Sequence, residues 1–346
     1  MAVTDPTVEA VFDAVATTAP AIRDALPGRR VEHGTENPSG ETVLAGDVYA
    51  DELLADALGA VDGVGSFVSE ERAAPVDVGE GYAVAIDPLD GSSNLRSNNA
   101  MGTVVGVYDG ALPTSGRDLV AAGYVLYGPI TTMVVADETG VREEVVQQDG
   151  PDGTASRSVV DDDLSLPADP TVYGFGGRVP NWPADFRAYA SSIKDELKLR
   201  YGGAMVGDVN QVVTYGGVFA YPKLADAPEG KLRLAFEANP IAYVIERMGG
   251  ASSDGTGSIL DVEPDGIPDR LPLHVGNPAL IDQPHATPEE YDRQPTRPLP
   301  PPRRPAQDDL RSPTTLPRPP NASTPAIHPP STHRNTPNHP NRPHTN

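Results

Sequence analysis

Five short runs rich in β-branched and aromatic residues follow one another between residues 66 and 137: SFVSEE, GYAVAID, GTVVGVYDG, LVAAGYVLYG and TTMVVAD. The segments between them carry glycine and aspartate and show no helical periodicity. Parallel neighbours need a crossover connection, usually a helix, so strands this close with none between them predict a mostly antiparallel sheet.

Helices are expected on both sides of this block. In TVEAVFDAVATTAPAIRDAL, the apolar residues Val8, Val11, Val15, Ala19 and Ile22 recur at helical spacing, and Pro20 is expected to interrupt the helix. GDVYADELLADALGAV predicts a second helix starting near Asp47, with Val48, Leu54, Leu58 and Val61 on or near one face. A second half begins near Leu166, with a helix around PADFRAYASSIKDEL and strand-like TYGGVFAYP and KLRLAFE. The latter feeds ANPIAYVIERMGG, a predicted helix with Asn239 as its cap and Pro240 in its first turn. Ile241, Val244, Ile245 and Met248 form its stripe, and Gly249 and Gly250 stop it.

From Gln283 the chain changes character. Residues 283–346 hold 18 of the 38 prolines and five of the seven histidines, without apolar periodicity. Such a segment cannot build a core and is predicted to be disordered. Eight arginines against five acidic residues make it basic, whereas residues 1–282 carry 18 basic and 44 acidic residues. The organisation expected is residues 1–163, residues 164–282 and a proline-rich tail over 283–346, whose foreign composition is what a frameshift would leave.

The net charge of -23 argues against nucleic acid as a partner, because phosphate backbones are bound through basic surface. Only four lysines occur, at 194, 198, 223 and 231, a composition like the salt-adapted surfaces of haloarchaeal proteins. With no cysteine, disulfides and thiolate chemistry are excluded, and any metal must take oxygen or histidine ligands. No apolar run approaches the roughly 20 residues that cross a bilayer. A cytoplasmic protein with no membrane partner is expected.

Carboxylates gather where regular elements start or stop: Asp47 at a helix start, Glu70 and Glu71 after FVS, Asp87 and Asp90 in AIDPLDGSSNL, and Glu237 ahead of a helix. Taken singly, each reads better as a cap, a solvated strand end or a turn former. Converging, they would hold hard divalent cations, and DGSSN would offer backbone N–H groups to a phosphate.

DPLDGSSN resembles the metal and phosphate signature of the class I fructose-1,6-bisphosphatases, within the lithium-sensitive phosphatase superfamily that includes inositol monophosphatase. The inositol enzymes usually have DPIDGTTNF there; Leu89 and the serine pair favour the sugar bisphosphatases. VSEE, GTVVGVYDG, LRYGGAMVGDVNQVVTYGGVFAYP, GKLRLAFEANPIAYVIERMGG and ILDVEPDGIPDRLPLHVGNP continue the likeness in order over residues 8–282. The resemblance implies an α/β fold, an αβαβα sandwich with mixed, mostly antiparallel sheets. It also implies release of the 1-phosphate of fructose 1,6-bisphosphate by a homodimer or homotetramer, as a step of gluconeogenesis.

Carried over by residue, the resemblance implies two to three Mg2+ ions, or Mn2+, on Glu70, Asp87, the Leu89 carbonyl, Asp90 and Glu237. Asp47 and Glu71, with Glu70, would act on the attacking water. Glu41 falls at a mobile-loop position where the family commonly has aspartate. Asp90, Gly91, Ser92 and Ser93 would cradle the 1-phosphate. Tyr201, Tyr221, Lys231 and the backbone of Met205 would hold the sugar and 6-phosphate, with Arg200 supplied by a neighbouring subunit, and Arg178 is a further candidate there. Gly176 and Val179 replace the family's asparagine and tyrosine at the 6-phosphate, so a broader inositol-phosphate or sedoheptulose-bisphosphate phosphatase is the alternative, with a non-catalytic sugar-phosphate regulator a third. Gly81 stands where AMP-regulated relatives carry lysine, which argues against AMP control. A chain ended after Asp282 is expected to release phosphate from fructose 1,6-bisphosphate in high salt as fast as the full chain, checked by assaying the two side by side.

Overall fold

The computed structural model describes residues 4–30, 32–37, 42–148 and 155–282, all within one compact unit spanning 1–294. Glu41 and the tail over 283–346 lie outside the described residues. The chain opens with α1 (Pro6–Ala25), a small antiparallel pair β1 (Glu32–Glu36) and β2 (Thr42–Leu44), and α2 (Ala45–Gly59). Asp5 caps α1 by accepting the N–H groups of Thr7 (2.7 Å) and Val8 (3.3 Å). The expected break at Pro20 does not occur: α1 continues to Ala25. A proline inside a helix costs about 3 kcal/mol, but Val8, Val11, Phe12 and Val15 before it and Ile22 beyond it are all buried, and burial of one such side chain offsets much of that.

The main sheet has eight strands: β3 (Val64–Ser69), β4 (Val76–Asp77), β5 (Tyr82–Asp90), β6 (Met101–Tyr108), β7 (Leu119–Tyr127), β8 (Thr131–Asp137), β9 (Gly140–Gln148) and β10 (Ala155–Asp161). Their order is β10-β9-β8-β7-β6-β5-β3-β4, antiparallel except for the β3–β5 pair. The sequence reading gave no strands for β9 and β10, which are polar and lie at one side of the sheet. Arg142 pairs with Glu9, Asp137 and Glu144, and Arg157 with Glu9, Asp13 and Glu144, tying those strands to α1.

A five-stranded sheet follows, built from β11 (Val172–Phe175), β12 (Lys198–Leu199), β13 (Gly217–Tyr221), β15 (Ala251–Ser253) and β17 (Leu273–Gly276) in the order β12-β11-β13-β17-β15. Two more short strands, β14 (Leu232–Arg233) and β16 (Arg270–Leu271), pair separately. The helices are α3 (Ala184–Glu196), α4 (Met205–Tyr215), α5 (Asn239–Arg247) and α6 (Pro278–Ile281). Alternating side chains sort the layers. Val84 and Ile86 of β5 join the core under α1 and α2, while Ala83 and Ala85 face the core that holds Val206 and Val209 of α4 and Ile241 and Val244 of α5. Phe219 of β13 closes that second core, and its neighbours Val218 and Ala220 face Phe186 and Ile193 of α3. The expected αβαβα sandwich is the result.

Three local expectations are corrected. Asn239 is not a cap: its φ of -61° and ψ of -51° are helical, because a π-helical turn over Leu234–Ala238 leads straight into α5. KLRLAFE is a strand only at Leu232–Arg233 before that turn, and TYGGVFAYP is strand only from Gly217, its first residues ending α4. Phe12 is fully buried and lies over Gly123, where a Cβ would come within 2.8 Å of its ring. Phe12→Ala is expected to lower stability by about 3–5 kcal/mol, measured by denaturant unfolding in molar KCl.

Candidate active site

The site begins with an irregularity. Residues three apart on a strand point to opposite faces, which would separate Asp87 from Asp90. The pairing of β5 with β6 shifts here: Asp87 sits opposite Val104 but Asp90 opposite Gly102. One extra residue on β5, at a place where Pro88 has no N–H to give to the ladder, turns both carboxylates to the same side. Thr103 holds the bulge by donating its hydroxyl to the Pro88 carbonyl at 2.8 Å.

Glu237 reaches the same point from the second half through the π-helical turn, another one-residue insertion at a site. One carboxylate oxygen each from Asp87, Asp90 and Glu237 lie within 4.8 Å of one another, and all three residues are buried. Glu70, just beyond the end of β3, acts on all three through its charge. Burial, then the charges of Glu70, Asp90 and Glu237, push the Asp87 carboxyl well above its ordinary range. Burial lifts Asp90 to about 7 against the N–H of Val206, which donates to it at 2.7 Å. Glu237 is raised by burial and by Glu70 and Asp90, although Arg233 opposes this.

Arg233 is a residue the sequence reading missed. Its side chain is 2 % exposed, its backbone N–H donates to Glu237 at 2.6 Å, and its guanidinium donates to Glu70 at 3.0 Å. Its only sequence signal was an arginine inside an otherwise apolar run, LRLAF. One guanidinium among four carboxylates leaves negative charge in a buried place, and an all-oxygen donor set of this kind suits hard divalent cations.

A cavity of about 250 Å³ opens on this cluster. Asp47, Glu70, Glu71, Asp87, Leu89, Asp90, Arg233 and Glu237 line one part of it, Gly91, Ser92 and Ser93 adjoin them, and Tyr201, Met205, Asp208, Tyr221 and Lys231 are among the residues that line the rest. Asp47 is in the first turn of α2, which starts two residues earlier than expected, and accepts the Leu44 N–H at 2.6 Å. Gly91 has a φ of 73°, and a Cβ there would fall 2.2 Å from that of Ala204, so glycine is required. Ser92 then begins a single 3-10 turn with no side-chain cap. Lys231 lies with its Nζ 5.8 Å from the Tyr221 ring centroid. Neither Arg200 nor Arg178 lines this cavity.

Two substituted positions have geometric consequences. A Cβ at Gly176 would fall 2.2 Å from the Tyr221 ring, so that ring occupies the room a side chain would need. Gly81 has a φ of 131°, and a Cβ there would meet the Gly63 carbonyl oxygen at 1.9 Å, which leaves no room for a lysine.

The sequence models for "Fructose-1-6-bisphosphatase, N-terminal domain" and "Fructose-1-6-bisphosphatase, C-terminal domain" match residues 11–151 and 166–288. This chain belongs to the fructose-1,6-bisphosphatase family. The class 1 fructose-1,6-bisphosphatase of Natronomonas pharaonis is 59% identical over 278 residues, 80% of this chain and 96% of the relative. That of Halobacterium salinarum is 56% identical over 277 residues, 79% of this chain and 94% of the relative. The fold is similar to that of Leishmania major fructose-1,6-bisphosphatase in holo form, with a TM-score of 0.74 and 28% identity over 80% of this chain and 94% of that one. The family is metal-dependent, in keeping with the donor set here. Among the described residues no helix is long and apolar enough to cross a membrane.

The raised carboxylates make a stability prediction for metal-free protein. Asp90 rises from an ordinary 3.8 to about 7, so between those values the folded form binds more protons and loses stability as pH rises. Asp90→Asn in chelator is therefore expected to match the parent near pH 4 and exceed it by a few kcal/mol at pH 8, read from denaturant unfolding at the two pH values.

Proposed function

We propose that this chain hydrolyses the 1-phosphate ester of fructose 1,6-bisphosphate, giving fructose 6-phosphate and inorganic phosphate, as a cytoplasmic enzyme of gluconeogenesis. The observation that carries this is the meeting of a buried carboxylate cluster, the Gly91–Ser93 turn and the Tyr201, Tyr221 and Lys231 side chains in one cavity. Residues 1–163 supply the metal and near-phosphate half, and residues 164–282 the sugar and far-phosphate half. The names of the haloarchaeal relatives support the substrate.

Glu70, Asp87, Asp90, Glu237 and the Leu89 carbonyl hold two to three Mg2+ ions, for which Mn2+ can substitute. Bound there, such ions would supply neutralisation of the phosphate charge, acidification of a water and stabilisation of the leaving sugar oxygen. Asp47 and Glu71, with Glu70, orient that water and take up its proton. Gly91 and Ser92 offer backbone N–H groups to the phosphate oxygens, with the hydroxyls of Ser92 and Ser93 beside them. Tyr201, Tyr221, Lys231 and the Met205 backbone fix the sugar and its far phosphate, so that the ester bond meets the water in line. Arg200, which does not line its own cavity, serves the site of a neighbouring subunit in a dimer or tetramer.

One observation favours a broader range. With Gly176 filled by the Tyr221 ring and Val179 exposed, the far end lacks two polar side chains, which supports acceptance of sedoheptulose bisphosphate or inositol phosphates as well. Phosphate release from the three substrates in Mg2+ and molar KCl separates the readings: a rate on inositol phosphate above that on fructose 1,6-bisphosphate overturns the first. Asp90→Ala and Glu70→Ala are expected to abolish release while the fold survives. Lys231→Ala is expected to raise KM about tenfold with kcat nearly kept, as loss of a charge-assisted phosphate contact implies.

A further inference from the structure

Residues 200–204 link β12 to α4 and carry Arg200 and Tyr201; the Arg200 N–H donates to the Tyr173 carbonyl at 2.8 Å and the Ala204 carbonyl accepts the first bond of α4, from the Asp208 N–H. Two consecutive glycines, Gly202 and Gly203, make this segment intrinsically loose. The glycine pair itself is held by Asp208. That residue is 4 % exposed and folds its carboxylate back over the start of its own helix, accepting the N–H of Gly202 on Oδ1 and that of Gly203 on Oδ2 at 3.1 Å. Burial pushes its carboxyl up to about 6 while the two N–H groups pull it down, so it is ionised at neutral pH.

The other side of the same peptide faces the near-phosphate turn. The Gly202 carbonyl accepts from the Nδ2 of Asn94 at 3.0 Å and from that of Asn99 at 2.8 Å. Asn94 belongs to the 3-10 turn that Ser92 and Ser93 begin. Ala204 lies against Gly91, and the Val206 N–H donates to Asp90. One peptide unit thus joins segments more than a hundred positions apart in the chain.

A carboxylate lining a phosphate-binding cavity opposes the substrate's charge, so its presence calls for a purpose other than contact. We propose that Asp208 is a positioning residue: through Gly202 and the Asn94 and Asn99 amides it locks the far-phosphate grip to the near-phosphate turn and so sets the spacing between the two ends of a bisphosphate. Both of its oxygens are engaged by backbone, so it acts through the peptide. The inference rests on the assignment of Tyr201, Tyr221 and Lys231 to the far phosphate.

The test compares fructose 1,6-bisphosphate with fructose 1-phosphate, which has the same ester and no far phosphate, in the full chain with Mg2+ and molar KCl. The parent is expected to prefer the bisphosphate in kcat/KM. Asp208→Asn is expected to lose about tenfold of that preference, through KM for the bisphosphate, with fructose 1-phosphate turnover kept. Asn99→Ala, on an exposed side chain, is expected to move the preference the same way, and the double variant to fall no further than Asp208→Asn. A preference unchanged in Asp208→Asn overturns the inference. If Asp208→Asn instead unfolds at lower temperature and slows both substrates equally, Asn99→Ala decides, and an unchanged preference there overturns it. A parent without preference overturns the far-phosphate assignment itself.

Discussion

Asp87, Asp90 and Glu237 are buried with oxygens within 4.8 Å of one another, an arrangement that costs free energy until positive charge or protons enter it. The surrounding structure is organised to impose that repulsion and to temper it. A bulge in β5 and a π-helical turn ahead of α5 each insert one residue to aim a carboxylate inward. Backbone N–H groups of Leu89, Val206 and Arg233 each donate to one of the three, and the Arg233 guanidinium faces Glu70. What they leave uncompensated is what a divalent cation supplies.

Two distant parts of the chain meet at this cluster, since neither carries all of its carboxylates. The eight-stranded sheet brings Asp87 and Asp90, and the turn that follows them; β14 brings Arg233, and the π-helical turn after it brings Glu237. Packing between the layers is therefore part of the chemistry: the N-terminus of α4 gives its Val206 N–H to Asp90, and Ala204 fills the space that Gly91 leaves open. In a chain this acidic, the positive groups in the cavity are few, Lys231 at the far side and Arg233 at the cluster.

Much of this was legible in the residue string. The carboxylates, the turn after Asp90, the helices α1, α2, α3 and α5 and the central strands all carried strong local signals. The failures have physical causes. Pro20 was given its intrinsic helix-breaking weight, but the buried face around it outweighs that. Asn239 and Pro240 form a good capping pair in isolation, yet the π-turn continues the helix upstream because Glu237 must face inward. Strands β9 and β10 carry charged residues whose partners on α1 are distant in sequence. The helix α4 has its apolar spacing in Val206, Val209, Val212 and Val213, but these β-branched residues and Gly207 have low helix propensity and give a weak local signal. Arg233 and Asp208 looked like ordinary charged residues until burial gave them partners.

By itself, the sequence determined the chemical inventory: oxygen donors without thiols, a proline with no N–H to give between two aspartates, glycine where only glycine fits, and the family to which these belong. Those are local facts, written in residue type and near spacing. The tertiary structure decided which carboxylates share a face, which arginine stands among them and which buried aspartate orders the loop of Tyr201. The first two depend on a one-residue shift of register or on contacts across more than a hundred positions; the third spans only five or six positions but needs the burial that the packed layers supply, and no local pattern encodes any of them.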